Sequence, residues 1–358
     1  MSYPSTFDIL YTMKDKNLNI VVLAGGLSPE RNVSLASGTM VTNALLSLGH
    51  QAILVDLFYG LPHFDGHLGS LFASASPLPP YAVANDAPNL NAIAESRAGG
   101  YSEQIGRNVL EVCRAADLVF MALHGADGEN GSVQGWLAQN GVLFTGSGAA
   151  ACALAMDKAE AKLVFARNGI LVPQSVLLCE RDALPALHYP VVVKPNCGGS
   201  SLGVTIVQSE ADMAAALTAA FALEERVLAE EYIAGREFSC GVLGDAALPV
   251  IEIVPKVGFY DYANKYQPGA AEEICPADLD AETTMRIQAD ALWVFEILRL
   301  DCYARMDFIL DAGGRVYCLE ANTLPGLTVT SLLPQEAAAA GLSYAALCAK
   351  IIELALEK

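Results

Sequence analysis

Positive charge is scarce in this sequence. Its 358 residues carry 21 Lys and Arg against 40 Asp and Glu, a formal charge of −19, and no run of Lys or Arg relieves the imbalance. A chain of that sign repels nucleic acid and anionic membrane surfaces, so neither is expected as a partner. A nucleotide ligand would have to be held by a few placed cations and by metal ions. Long apolar runs are also missing: no stretch reaches the ~18 residues of a membrane span. The opening segment MSYPSTFDILYTMKDKNLNI lacks the basic lead into an apolar core that a secretory signal uses. The nine cysteines, Cys113, Cys152, Cys179, Cys197, Cys240, Cys275, Cys302, Cys318 and Cys348, are odd in number, scattered and without a Cys-x-x-Cys pair. Neither a disulfide framework nor a zinc site follows from that spacing. The expectation is a protein of the reducing cytoplasm. At 53% hydrophobic and 17% charged residues, the chain is globular and long enough for two or three domains with substantial cores.

What is present gathers most densely between Asp301 and Ser331, DCYARMDFILDAGGRVYCLEANTLPGLTVTS. Arg305 to Leu310 and Arg315 to Asn322 read as two strands, with turn chemistry in Asp311-Ala312-Gly313-Gly314 between them. A turn centred on Ala312-Gly313 pairs Leu310 with Arg315, Asp307 with Cys318 and Arg305 with Glu320. Alternation then puts Met306, Phe308 and Leu310 with Tyr317, Leu319 and Ala321 on a core face, and Arg305, Asp307, Glu320 and Asn322 on the other. Two carboxylates about 6 Å apart repel by roughly 3 kcal/mol at an effective dielectric of 20, so a positive partner belongs there. Asp, Glu and Asn together form the hard-oxygen set that Mg²⁺ prefers, usually completed by phosphate oxygens. The plainer alternative is an Arg-Glu cross-strand pair beside a solvated Asp.

The rest of the chain supplies further parts in order. Asn19 to Ala24 is an apolar strand running into Gly25-Gly26-Leu27-Ser28-Pro29-Glu30 and an amphipathic helix from Val33 to Leu48, a geometry that offers backbone N–H groups to an anion. The full Gly-x-Gly-x-x-Gly of a dinucleotide site is missing. Gln51 to Leu57 is a second strand, followed by the weakly patterned Tyr59 to Ser102, read as surface loop with short helices. A helix within Gly106 to Ala115 leads to the strand Leu118 to Leu123, which ends at His124-Gly125, the end of a strand where open α/β sheets collect ligands. After a helix at Ser132 to Gln139, a short strand at Val142 to Thr145 and a hinge at Gly146-Ser147-Gly148, Lys158 begins the helix to Asn168. The strand Tyr189 to Pro195 carries Lys194 and opens onto Asn196-Cys197-Gly198-Gly199-Ser200-Ser201-Leu202-Gly203. That flap can close N–H and O–H groups over phosphates. It is not a Walker loop, because the lysine precedes the glycines and a strand follows. Val227 to Tyr232 carries Glu230 and Glu231. Gly258 to Tyr266 reads as a compact Ω-loop of the kind that forms lids. Ala281 to Arg299 is an amphipathic helix, and Gln335 to Glu357 closes the chain with one or two more.

Taken together, the Arg-x-Asp strand, the Glu-Ala-Asn-Thr-x-Pro-Gly turn and the following serine (Arg305, Asp307, Glu320, Asn322, Pro325, Gly326, Ser331) resemble the C-terminal segment of the ATP-grasp carboxylate-amine ligases. The resemblance is strongest to the D-alanine–D-alanine ligases and extends over nearly the whole chain. It implies an α/β ATP-grasp fold in three parts: an N-terminal doubly wound parallel-sheet domain (1–156), a central α+β nucleotide domain (157–234) and a C-terminal α+β domain (235–358) with lid and metal site. It also implies roles. Glu30 would bind the ammonium of the first D-alanine, with His124 on the substrate side, supported by the Gly125 to Gly131 segment that carries Glu129. Lys158, Lys194 and Lys265 would contact phosphate, Ser200 would lie over the reacting carboxylate, and Ser200 and Ser201 in the flap would belong to the nucleotide site. Glu230, Glu231, Ile233 and Glu237 would hold adenine and ribose. Arg305 would stabilise an oxyanion, Asp307, Glu320 and Asn322 would bind two Mg²⁺ ions, for which Mn²⁺ can substitute, and Ser331 would hold the second carboxylate. Tyr266 and Ser200 would latch the lid towards Glu30, and the presence of Tyr266 favours an amine acceptor. The expected reaction is ATP-dependent joining of two D-alanines through a D-alanyl phosphate, for peptidoglycan synthesis, in a homodimer. D-serine or D-lactate as second substrate, and a non-catalytic nucleotide-binding regulator, are the alternatives.

Overall fold

Strand β1 (Asn19–Ala24) is apolar on both faces and therefore has to be covered on both. In the computed structural model, which describes residues 17–83, 88–97, 104–256 and 271–358, it lies between β2 (Gln51–Asp56) and β3 (Leu118–Met121), parallel to each. The Arg31–Ser47 helix crosses one face, and Gly38 sets how close it comes: a Cβ there would stand 2.6 Å from that of Ala24. The expected strand at Val142 to Thr145 is reduced to a single parallel bridge, Val119 to Phe144, because Gly146 and the hinge that follows carry the chain away from the sheet. The last helix of the chain, Tyr344–Leu356, returns to this first sheet, and its Leu347, Ile351 and Ile352 share one core with Val41 and Leu45.

Two antiparallel sheets follow. β4 (Ser175–Cys179), β5 (Val191–Pro195), β6 (Thr205–Val207) and β7 (Arg226–Glu231) form the order β4-β7-β5-β6, backed by the Glu210–Phe221 helix. β8 (Gly235–Leu243), β9 (Ala246–Ala247), β10 (Ile251–Pro255), β11 (Ala271–Ile274), β12 (Tyr303–Asp311) and β13 (Val316–Asn322) form the third, in the order β11-β10-β8-β12-β13 with β9 on β8. The Ala281–Ile297 helix covers its apolar face. The expected lid and its Lys265 and Tyr266 lie outside the described residues. No single helix among the described residues is long and apolar enough to cross a membrane.

The β12–β13 hairpin corrects the expected register. Asp311 accepts bonds at its Oδ1 from the backbone N–H groups of Gly313 and Arg315, both at 2.9 Å, so Leu310 pairs with Val316 instead of Arg315. A β-bulge then inserts Leu319: Phe308 faces Cys318, while Asp307 faces Glu320 and Arg305 faces Asn322. Cys318 enters the core beside Phe308, and Leu319, expected in the core, lines a cavity with Ile309. Bulges re-aim side chains in this way beside functional sites.

Behind this sheet, the Leu332–Ala339 helix buries Glu336 completely. A Cβ at Gly241 would come within 2.5 Å of its Oε2, so glycine makes the room. No side chain among the described residues bonds either carboxylate oxygen, and the backbone N–H of Gly241 is the one donor that lowers its pKa. Burial pushes its pKa up to about 8, against the pull of Arg305. A folded pKa above the unfolded one gives stability that is present in acid and lost as pH rises through the folded value. Glu336→Gln is therefore expected to lose less stability than the parent between about pH 5 and pH 9, by roughly 2–4 kcal/mol. Urea unfolding at the two pH values measures this, and equal slopes would refute it.

Candidate active site

The side chains converge from the hairpin outward. Arg305 donates to Asp307 through Nε at 2.9 Å and Nη2 at 2.8 Å, Ser239 Oγ donates to the same carboxylate at 2.8 Å, and Asn322 Nδ2 does so at 3.0 Å. Lys158 Nζ stands 3.1 Å from Glu320 and donates to the Gly198 carbonyl at 2.6 Å. The two facing carboxylates thus each hold a cation. Arg305 takes Asp307, not the Glu320 expected from the unbulged register. Burial drives the Lys158 pKa down, but Glu320 overcomes it and the net shift is upward. The described residues contain no group of three His, Cys, Asp or Glu able to hold a metal. The donor set of Asp307, Glu320 and Asn322 fits a hard cation whose remaining positions come from phosphate, and the two cations already seated there show that this pocket takes positive charge.

A second buried cluster lies beneath the flap. Glu230 Oε2 is 2.8 Å from Lys162 Nζ, and its Oε1 is 2.5 Å from Lys194 Nζ. Burial raises the Glu230 pKa, and the two lysines more than reverse it. Burial depresses Lys194, which Glu230 only partly offsets. Lys162 was not anticipated, although its spacing from Lys158 puts both on one helix face. Above them, Ser200 and Ser201 hold φ of 50° and 56°, a left-handed conformation rare outside glycine. The Ser200 hydroxyl donates to Glu30, which heads the Arg31–Ser47 helix.

Two cavities flank this junction. One, of about 400 Å³, is lined by Glu30, His124, Glu129, Arg305, Asn322 and Ser331. The other, of about 390 Å³, is lined by Lys158, Lys194, Ser201, Glu230, Glu231, Ile233, Glu237 and Asp307. They share Gly199, Ser200, Glu320 and Leu332. Every expected site residue that is described lines one or both. The Pro325-Gly326 turn closes the first cavity: a Cβ at Gly326 would meet Ser331 Oγ at 2.6 Å, and Ser331 Oγ in turn accepts the Thr328 N–H at 3.0 Å. Glu129 is half-buried there, its pKa raised to about 8 by desolvation and then by Glu30. Tyr81 and Val83 also reach this wall. They come from the segment whose sequence gave no chemical signal, which is pinned where Leu78 exchanges two hydrogen bonds with Asn43, at 2.8 and 2.9 Å.

Sequence profiles of known families match over most of the chain: the D-ala D-ala ligase N-terminus over residues 19–147 and the D-ala D-ala ligase C-terminus over residues 173–353. The chain belongs to the D-alanine–D-alanine ligase family. A D-alanine–D-alanine ligase of Pediococcus pentosaceus is 44% identical over 340 residues, 94% of this chain and 97% of that one. One from Nitratidesulfovibrio vulgaris is 40% identical over 343 residues, 95% and 98% of the two chains. Among solved structures, the D-alanine–D-alanine ligase of Bacillus anthracis superposes with a TM-score of 0.72 at 29% identity, covering 95% of this chain and 98% of that one. Its complex with ATP gives 0.71 at 27% identity, covering 95% and 97%. The ATP-grasp fold is therefore shared across the family.

Proposed function

We propose that this member of the D-alanine–D-alanine ligase family uses ATP to join two D-alanine molecules into D-alanyl-D-alanine for peptidoglycan synthesis, releasing ADP and phosphate. The observation that carries the reading is the junction of the two cavities at Ser200 and Glu320, beside Arg305. A phosphate chain in one and an amino acid in the other would meet there. A carboxylate is a poor electrophile, and phosphorylation by ATP converts one of its oxygens into a leaving group. Lys158 and Lys194 hold the transferring phosphates, with Lys265 assigned to the lid. Glu230, Glu231, Ile233 and Glu237 hold adenine and ribose. Asp307, Glu320 and Asn322 would bind Mg²⁺, or Mn²⁺ in its place, which supplies charge neutralisation to the phosphates.

Glu30 pairs with the ammonium of the first D-alanine, and His124 packs beside it. Ser200 and Tyr266 close the flap and lid towards Glu30, keeping water from the acyl phosphate. Ser331 holds the carboxylate of the second D-alanine, whose amine attacks the acyl carbon. Arg305 donates to the oxyanion of the tetrahedral intermediate, as preorganised donors do. Division at 156/157 and 234/235, a homodimeric state and a cytoplasmic location complete the reading, on the strength of the family resemblance.

Incubation with ATP, Mg²⁺ and D-alanine, D-serine or D-lactate tests it, by phosphate release and by product mass. The expected result is D-alanyl-D-alanine with one phosphate per peptide bond. A depsipeptide or D-alanyl-D-serine as the main product would move the reading to another acceptor, and ATP-saturated protein that leaves D-alanine unjoined would end it.

A further inference from the structure

Ser37 lies in the Arg31–Ser47 helix, fully buried, and belongs to neither cavity. Its Oγ is 2.9 Å from His124 Nε2 and accepts the backbone N–H of Leu327 at 3.3 Å. The other ring nitrogen of His124, Nδ1, is 3.0 Å from the carbonyl of Leu324. The directions of these bonds follow from what each group can do. A carbonyl only accepts, so Nδ1 carries the proton. A backbone N–H only donates, so Ser37 accepts from Leu327 and turns its own hydroxyl proton to Nε2, which accepts in a neutral ring. Donors and acceptors are each used once: Leu327 N–H to Ser37, Ser37 O–H to His124, His124 Nδ1–H to Leu324.

The ring of bonds closes on the turn between β13 and the Leu332–Ala339 helix, the same turn that carries Gly326 and Ser331 along the wall of the amino-acid cavity. All its members are buried: Ser37, His124, Leu324 and Leu327. On the far side, the Tyr344 hydroxyl donates to the Leu327 carbonyl at 2.7 Å. The N-terminal helix thus reaches the acceptor wall through one hydroxyl and one imidazole. A protonated imidazole would aim a second N–H at Ser37 Oγ and force the serine proton out of the ring, so this arrangement selects the neutral form.

We propose that Ser37 is a positioning residue for ligation: it bonds Nε2 of His124 in the neutral Nδ1–H tautomer and thereby fixes the 324–327 turn that shapes the second substrate's end of the cavity. This rests on the ligase reading. Nitrogen-15 spectra of histidine-labelled protein, with the His124 signals assigned by their loss in His124→Asn, test the tautomer without turnover. A protonated Nδ1 and a bare Nε2 in the parent are expected; in Ser37→Ala the Leu324 carbonyl still holds the Nδ1 proton while the Nε2 signal moves downfield as it loses the serine hydrogen bond, and Ser37→Thr restores the parent position. In steady-state assays, Ser37→Ala is expected to raise KM for the second D-alanine about tenfold, with kcat and the KM for ATP within about twofold of the parent, and Ser37→Thr to recover it. A protonated Nε2 in the parent overturns the proposal. So does a Ser37→Ala enzyme whose KM values for ATP and both D-alanines rise together, the mark of general loosening. A parent protein that forms no dipeptide yet shows the expected tautomer would instead count against the ligase reading alone.

Discussion

Arg305→Met is expected to slow ligation by about 10²–10³-fold, the usual cost of removing one donor to a developing oxyanion, while the KM for ATP changes little. Arg305 lines the amino-acid cavity and is clamped on Asp307, whose side chain lines the nucleotide cavity. It therefore serves two ends, and the substitution has two consequences. The catalytic one falls on kcat, because the oxyanion exists only after the amine has attacked. The structural one falls on Asp307, 8% exposed, which keeps Ser239 and Asn322 but loses its cation. Removing one partner of a buried pair costs about 3–5 kcal/mol, towards the lower end here because both side chains retain some exposure. The double variant Arg305→Met/Asp307→Asn separates these effects: it should recover most of the stability in urea unfolding and none of the rate. If Arg305→Met ligates within about threefold of the parent, Arg305 does not stabilise the oxyanion.

The hairpin also marks the limit of what the sequence made legible. Alternation of period two placed Arg305, Asp307, Glu320 and Asn322 on one face, and that grouping needs only local geometry. The bulge at Leu319 could not be read, because it depends on how β12 pairs with both β8 and β13. The consequence was chemical: the arginine counted against Glu320 sits on Asp307, and Lys158, brought from another helix, takes Glu320. Lys162 left a trace in its helical spacing from Lys158, but its partner Glu230 comes from a strand of another sheet, and spacing carries no information about that. Tyr81 and Val83 left none. A Pro-rich segment has no periodicity, and its position comes from Asn43 on a helix far earlier in the chain. The final helix announced its apolar face, but not that the face would be spent on the first sheet instead of the nearest one. The overall fold was readable through the family resemblance that the motifs carry in order, while the motifs by themselves gave only local strands, turns and helices.

Glu230→Gln is expected to destabilise the folded protein by about 3–5 kcal/mol, although no substrate is present when this is measured. Lys162, Lys194 and Glu230 are 3%, 8% and 4% exposed, so two ammonium groups and one carboxylate share a site with little water. Removing the carboxylate leaves two like charges buried together, and one lysine must shed its proton or break away. The pH dependence identifies the cause. In the parent, the lysines hold the Glu230 pKa below its unfolded value despite burial, so its contribution is present above the unfolded pKa, about 4.3, and is lost as pH falls through the folded one. In the variant that acid-side contribution is gone. Lys194, depressed by burial, loses the carboxylate that offsets it and binds fewer protons when folded than when unfolded, so stability should rise with pH towards about 9. Adding Lys162→Met to Glu230→Gln removes the repulsion and should recover more than half of the loss, because the remaining lysine can reach the nucleotide cavity that Lys194 already lines. Unfolding of the three proteins at about pH 4, 7 and 9 tests the whole series. A single variant as stable as the parent, or one whose deficit does not change with pH, would mean that Glu230 is not the counterion that keeps Lys162 and Lys194 charged together in this buried site.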